Sequence, residues 1–508
     1  MPPSHPVATS AHPASPRLFG RPRAAPTFVA GSPKKPPKPS LASPNPLWGF
    51  GLARDSSPLN PHPSPAAGLR SPISQAWTGN AVERDNADQP PRAACRMTTD
   101  IFFQIVTPDE ALARLYDRMA AALRSQRIGL NDALGRVTAA PLISPENSPA
   151  FARSAMDGYA VRAADTYGAT EALPAFLTVE GEVPMGAAAT RPVQPGTAQL
   201  IHTGGMLPPQ ADAVVMVEYT QPVDETSVEI LRPAAPGQHV IQAGEDLAAG
   251  DVLLPAGHQL RAQDLGVLAA LGITEVEAAS RPVVGVLSSG DEIVPVDATP
   301  APGQVRDVNA TTLSALARQA GAEVREFGVA PDDRTKLDRL TREALHASDL
   351  VVISAGSSVS TRDMTADVIA GLGQPGVLAH GIAVKPGKPT IVALAGGKPV
   401  FGLPGNPVSA MVVFGLVVAP TIRRLLGARP ADEPPRRRAR LTRSLASQTG
   451  RIDFVPAALQ QRDGEWWATP VLGPSNLIAT LVRASGLIRI PLDAGGLAEG
   501  AWVDVQAF

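Results

Sequence analysis

Val283-Val284-Gly285-Val286-Leu287 runs directly into Ser288-Ser289-Gly290-Asp291-Glu292. The same design returns twice downstream. Leu350-Val351-Val352-Ile353 is followed by Ser354-Ala355-Gly356-Ser357-Ser358, and Val400-Phe401 turns through Gly402-Leu403-Pro404-Gly405-Asn406-Pro407 into an apolar helix. Short continuous apolar runs separated by helical patterns read as strands buried on both faces of a parallel sheet. Ligands of such sheets sit outside the carboxyl ends of the strands. Three glycine-bearing loops at that edge make it the place to look for function.

Between these runs the chain alternates helix and strand. Asn309 is placed to cap a helix from Ala310 to Ala320, closed by Gly321. Val324 to Val329 reads as a strand, and Asp332 or Asp333 caps the helix after it. A helix is expected after Met364, then a strand from Val377 to Val384. Next comes Lys385-Pro386-Gly387-Lys388-Pro389, two cations on a stiff loop. Asp291, Glu292 and Asp363 bring carboxylates to the same edge. Lysines and carboxylates together suit a phosphate-bearing ligand with Mg²⁺ held by few protein oxygens. The glycine turns around Ser289-Gly290-Asp291, Gly356-Ser358 and Pro404-Gly405-Asn406 would turn backbone N–H groups toward the anion.

Outside this span the signals are softer. Thr107-Pro108-Asp109-Glu110 is a helix start, and Ala111, Leu112, Leu115, Tyr116 and Met119 then form one stripe. Ser154-Ala155-Met156-Asp157-Gly158-Tyr159 suits a turn that exposes a carboxylate; a turn acid bonded to its own backbone has the same signature. Residues 174 to 240 read as short strands with many turns, and include Ile201-His202-Thr203-Gly204-Gly205 and a strand ending at Glu218. Gly244-Glu245-Asp246 follows, then a helix near Arg261 to Leu271 with Gly272 past its end. Arg281-Pro282 is the hinge into the central domain.

The 508 residues are enough for several domains. A net charge of −2 argues against a general nucleic-acid binder. One cysteine, Cys95, leaves no disulfide framework and no cysteine zinc site, and the eight histidines lack ligand spacing. No apolar run approaches the ~20 residues of a membrane span, so no membrane partner and a cytoplasmic location are expected. The first 96 residues differ in kind. They hold twenty of the 53 prolines, and no acid before Asp55. Three readings stand: a disordered tail, an acid-poor targeting leader, or a true start of translation at Met97. A chain starting at Met97 is expected to melt like the full chain. A melting temperature several degrees lower would show that the first 96 residues pack on the body.

Taken in order, Ser154-Ala-Met-Asp-Gly-Tyr-Ala, His202-Thr-Gly-Gly, Gly244-Glu-Asp, Ser289-Gly-Asp-Glu, Asp363, Lys385-Pro-Gly-Lys-Pro and Gly402-Leu-Pro-Gly-Asn-Pro-Val-Ser resemble one family. It is the MoeA family of molybdopterin molybdotransferases, which includes the C-terminal part of gephyrin. The likeness spans about residues 100 to 508. It extends to Gly450-Arg451-Ile452-Asp453-Phe454 and Gly473-Pro474-Ser475-Asn476-Leu477.

The resemblance implies a molybdotransferase acting on adenylylated molybdopterin with molybdate as co-substrate, dependent on Mg²⁺ and releasing AMP. The implied fold is a multidomain α/β and β protein, an elongated homodimer. Residues 97–153 plus 241–280 form a helical and β domain, and 154–240 a turn-rich β domain. Residues 281–428 form a three-layer α/β domain with a mostly parallel sheet, and 436–508 a small C-terminal β-barrel. Asp157 and Thr203 would reach the partner's cleft, with Asp246 in support. Glu292, Asp332 and Asp363 match the family's acids, and Glu292, Asp363 and Asp246 are the candidates for the metal. Lys385 and Lys388 match its anion-binding lysines, and Arg451 and Ser475 match cleft-facing positions. The molybdopterin adenylyltransferase is a further candidate partner.

The sequence departs from the family at Ala355 and Ser360, which stand where glycines are usual, and at Gly205, where alanine is usual. Two rivals remain open, a non-catalytic gephyrin-like scaffold and an adenylyltransferase-type enzyme on the same α/β domain. Retention of Asp363 and both lysines speaks against the first. The extra modules at 154–246 and 436–508 speak against the second.

Overall fold

The computed structural model describes residues 105–120, 123–356, 359–430 and 436–508, with the side chains of 359–362 left aside. The readings of the first 96 residues and of Ser358 therefore lie outside the described residues.

The central sheet has six strands in the spatial order Glu323–Ala330, Val283–Ser289, Leu350–Ala355, Lys398–Pro404, Ile391–Ala395, Pro375–His380. The first four run parallel and the last two pairings are antiparallel. Successive side chains point to opposite faces, and both faces are covered. Val284, Val286, Leu350, Val352, Phe401 and Leu403 enter one core with Leu313 and Ala317 of the helix Val308–Gln319 and with Val413, Phe414 and Val417. Leu287, Val351, Ile353 and Val400 enter the other, with Leu337 and Ala344 of Arg334–Ala347 and with Ala366 and Ile369 of Val359–Ala370. Burial on both sides is why these strands read as unbroken apolar runs.

Several local expectations shift. The cap of the helix Val308–Gln319 is Asp307, whose carboxylate accepts from the Ala310 N–H at 2.9 Å, and Asn309 lies inside the first turn. Asp333, accepting from the Lys336 N–H, caps the next helix and releases Asp332. The helix expected after Met364 begins at Val359, so Asp363 sits within it. The strand expected from Val377 to Val384 splits into Pro375–His380 and Val384–Lys385. Gly381, at φ +102°, stands between them. The strand Ala213–Met216 stops before Glu218, which lies in the 3₁₀ turn Val217–Tyr219.

The helix Pro108–Tyr116 carries the full capping box, with Thr107 and Glu110 each bonded to the other's backbone N–H. Its buried Ala111 and Leu115 join the core of the central sheet rather than the small core of Ala133, Leu254, Leu260, Leu268 and Val276. Residues 158–230 form a separate six-stranded sheet. Gly158 sits where any Cβ would stand 2.0 Å from the Val215 carbonyl oxygen. In the C-terminal region Ile452–Arg462 pairs with Glu465–Pro470 and Gly486–Ile490. Arg436–Leu441 and Trp502–Ala507 complete a ring of pairings, so the sheet closes barrel-like on itself.

The continuous helical stretch Pro407–Leu425 is long and apolar enough by composition to cross a membrane, which the sequence reading did not anticipate. Its Val408, Ala410, Val412, Val413, Phe414, Val417, Val418 and Ile422 are all buried. Its apolarity is that of a core helix packed on the sheet.

Candidate active site at the sheet edge

Register across the parallel strands brings the loops together. Ser289 pairs with Ala330 on one side and Ala355 on the other, and Ala355 pairs with Pro404. The turns after these residues therefore open on one edge. Gly290 has φ +155°, a backbone that excludes a side chain. A Cβ on Gly405 would come 2.7 Å from the Ala355 carbonyl oxygen and 3.1 Å from Gly356 Cα. Two loops thus touch backbone to backbone.

A cavity of about 400 Å³ lies here, lined among others by Ser289, Glu292, Gly356, Gly405 and Asn406, with Asn476 from the C-terminal region. Asp291 faces a neighbouring cavity of about 500 Å³ beside Val329 and Pro331. Asp332 joins this side: its N–H donates to Asp291 Oδ1 at 3.1 Å, and the Ser289 hydroxyl donates to its Oδ1 at 3.4 Å. Asp363 is exposed on its helix.

Residues that sequence reasoning passed over hold this edge. Asn309, nearly buried, donates from Nδ2 to Ser354 Oγ and to the Gly405 carbonyl, both at 2.7 Å, tying two of the three loops to one helix. Arg306 lines the same 400 Å³ cavity as Glu292 and had no sequence signal of its own. The C-terminal region docks at the start of the long helix. Asn406 Nδ2 donates to Ser475 Oγ at 3.1 Å, and the Val408 N–H donates to the Ser475 carbonyl at 3.1 Å.

The lysine loop leans on the same helix. A Cβ on Gly387, at φ +118°, would collide with Val413 Cγ2 at 2.2 Å. The Thr390 hydroxyl bonds the Gly387 carbonyl, and the Thr390 N–H bonds that of Lys388, so the turn is closed locally. Both lysines are exposed. Lys385 reaches Asp453 at 3.8 Å, and Arg451 Nε donates to Asp453 Oδ1 at 2.9 Å.

Asp157 and Thr203 meet each other and line neither cavity. Asp157 Oδ1 accepts from the Thr203 N–H at 2.7 Å and from its hydroxyl at 3.0 Å. These bonds, the backbone one foremost, hold the Asp157 carboxyl below the usual carboxylate range. His202 stands between Asp157 and Glu182, 3.6 and 3.0 Å away. Asp246 lies exposed on a turn bonded to Ser148 and also lines neither cavity. Among the described residues no group of three His, Cys, Asp or Glu side chains is placed to hold a metal, so Glu292, Asp363 and Asp246 do not meet as one.

The fold and site define a multidomain α/β protein whose glycine-bearing turns and acidic side chains gather at one edge of its central sheet. Three family descriptions match in chain order: the MoeA N-terminal region (domains I and II) over residues 106–272, the probable molybdopterin binding domain over 285–424, and the MoeA C-terminal region (domain IV) over 438–508. The chain is similar to molybdopterin molybdenumtransferase 2 of Mycobacterium tuberculosis, 37% identical over 77% of this chain and 97% of that protein. It is 33% identical to the molybdopterin molybdenumtransferase of Haemophilus influenzae over 80% of this chain and 99% of that one. A crystal structure of the molybdopterin biosynthesis MoeA protein from Pyrococcus horikoshii superposes with a TM-score of 0.66 at 36% identity, covering 80% of this chain and 99% of that chain. The chain belongs to the MoeA family.

Proposed function

We propose that the protein is a molybdopterin molybdotransferase, which takes adenylylated molybdopterin and molybdate and releases AMP as molybdenum enters the dithiolene. The observation that carries this is the convergence of the Ser289, Gly356 and Gly405 turns with Glu292 on one cavity, lined also by Asn476 of the C-terminal region. Backbone N–H groups of such turns stabilise phosphate oxygens. Lys385 and Lys388 offset charge that the slightly acidic chain as a whole would repel. Asp157, with one oxygen held by Thr203, would serve a cleft completed by a second copy of the chain in a homodimer.

The donor set at the edge is carboxylate oxygen, which fits Mg²⁺. That ion takes one or two protein carboxylates and fills its shell with water and substrate phosphates. Glu292 and Asp363 would hold it, and when bound it offsets pyrophosphate charge. A cytoplasmic site of action agrees with this substrate chemistry.

Incubating the pure protein with adenylylated molybdopterin, molybdate and Mg²⁺ tests the reading directly; absence of AMP release would overturn it. Lys388→Ala is expected to weaken binding of adenylylated molybdopterin or molybdate roughly ten- to a hundredfold, since a hydrogen bond to a charged group contributes ~1.5–3 kcal/mol. Lys388→Arg should rescue only in part, because a planar fork does not replace a compact ammonium. Calorimetric titration with each ligand checks this, and parental binding of both by Lys388→Ala would place the anion elsewhere.

A further inference from the structure

Asp453 is the carboxylate at this site that water barely reaches. Its side chain is 4% exposed, whereas its two cationic neighbours are open to solvent, Lys385 at 58% and Arg451 at 30%. The two cations come from different parts of the chain. Lys385 lies between the central-sheet strands Pro375–His380 and Ile391–Ala395, and Arg451 immediately precedes Ile452–Arg462, the longest strand of the C-terminal region. They are brought side by side by backbone pairing: Val384 and Lys385 run parallel to Ile452 and Asp453, with Lys385 directly opposite Asp453. The Ile452 N–H bonds the Ala383 carbonyl at 2.8 Å, which locks the register.

The way each cation meets the carboxylate differs. Arg451 donates from Nε at 2.9 Å, a direct bond along one edge of the guanidinium, so its outer edge is not spent on Asp453. Lys385 stands at 3.8 Å, close enough for attraction and too far for a hydrogen bond, so Asp453 does not take up its N–H donors. One oxygen serves each cation. A buried carboxylate needs one good partner for its own stability, and Arg451 supplies that. The second cation is in excess of that need.

We infer that Asp453 is a positioning residue, holding Lys385 and Arg451 as a paired, outward-facing cation site for a tetrahedral oxyanion. This rests on the anion-binding role proposed above for the lysine loop. Held side chains lose less freedom when the ligand arrives, which favours binding. The negative charge of Asp453 works the other way, because it repels the same anion. The sign of one substitution therefore separates the two effects.

The test is calorimetric titration of the full chain with molybdate. Asp453→Asn keeps the size of the side chain and its bond to Arg451 Nε, and removes the hold on Lys385. If positioning dominates, it weakens molybdate binding about tenfold, or ~1.4 kcal/mol. Unchanged or tighter binding overturns the inference. Introduced into the Lys385→Ala/Arg451→Ala double variant, Asp453→Asn is expected to cause no further loss. A further tenfold loss there would mean a general structural role instead and would also overturn it. Should Asp453→Asn not fold, the single and double variants of Lys385 and Arg451 still decide. Cations held by one carboxylate are coupled, so the double loss should differ from the product of the single losses by threefold or more. Simple multiplication counts against a shared tether. Lys385→Ala and Arg451→Ala that each bind molybdate like the parent would remove the anion site itself, a failure of the underlying reading and not of Asp453 alone.

Discussion

Mixing Asp157→Asn protein with Asp363→Asn protein is expected to restore activity that neither has alone. Each substitution removes a carboxylate proposed to act at the reacting groups, and loss of one such contact typically costs ~10²–10³ in rate. Asp157 is bonded to Thr203 beside the separate six-stranded sheet, and Asp363 belongs to the helix that follows the Gly356 loop; neither lines the two cavities of the sheet edge. If the cleft takes Asp363 from one copy and Asp157 from the other, a mixed dimer has one intact cleft and one doubly altered cleft. Random exchange of equal amounts makes half the dimers mixed, so about a quarter of parental activity should return. Complete exchange, checked with differently tagged copies, without recovery of activity would sink the shared cleft.

Gly405→Ala is expected to abolish most activity while leaving a folded protein. Its Cβ would face the Ala355 carbonyl and Gly356 Cα at 2.7 and 3.1 Å, and both are backbone at the end of a central strand. No side chain can swing aside there, so the loops must part, and overpacking of this kind costs ~1–3 kcal/mol. Gly405 also supplies the carbonyl that Asn309 holds, so the shift reaches the helix Val308–Gln319 as well. A misplacement of ~1 Å at a reacting centre can cost ~10²-fold in rate. The control is Gly415→Ala, an exposed helical glycine with nothing within 4 Å of a new Cβ. It should keep full activity and gain up to ~1 kcal/mol. Parental kcat for Gly405→Ala would show that the loop contact does not shape the site.

Much of the architecture was legible because it is local. Val283–Leu287 and Leu350–Ile353 are strands buried on both faces, and burial of that kind demands an unbroken apolar run. The helix start at Thr107 was legible for the same reason, since the capping box closes within four residues. Caps were harder where two neighbours could serve. Asp307 and Asn309 both suit a helix start, and what decides between them is Ser354 and the Gly405 carbonyl, which claim the Asn309 amide from 45 and 96 residues away. Pattern reading has no access to that competition. The helix Pro108–Tyr116 shows the same limit: its apolar stripe was plain, and the core it enters was not.

By itself the sequence determined the strand and helix alternation of residues 283–425, the glycine turns at its edge and the family to which the chain belongs, because each is written in residues near one another or in motifs kept in order. Only the tertiary structure decided which groups meet. Lys385 faces Asp453 through a two-residue strand pairing, and Ser475 seats on Asn406 at a helix start. Asp157 pairs with Thr203 and stays off the central cavities. Such contacts join positions tens of residues apart, and chain closure of that length is set by the packing of whole domains, which leaves no period or spacing in the local sequence.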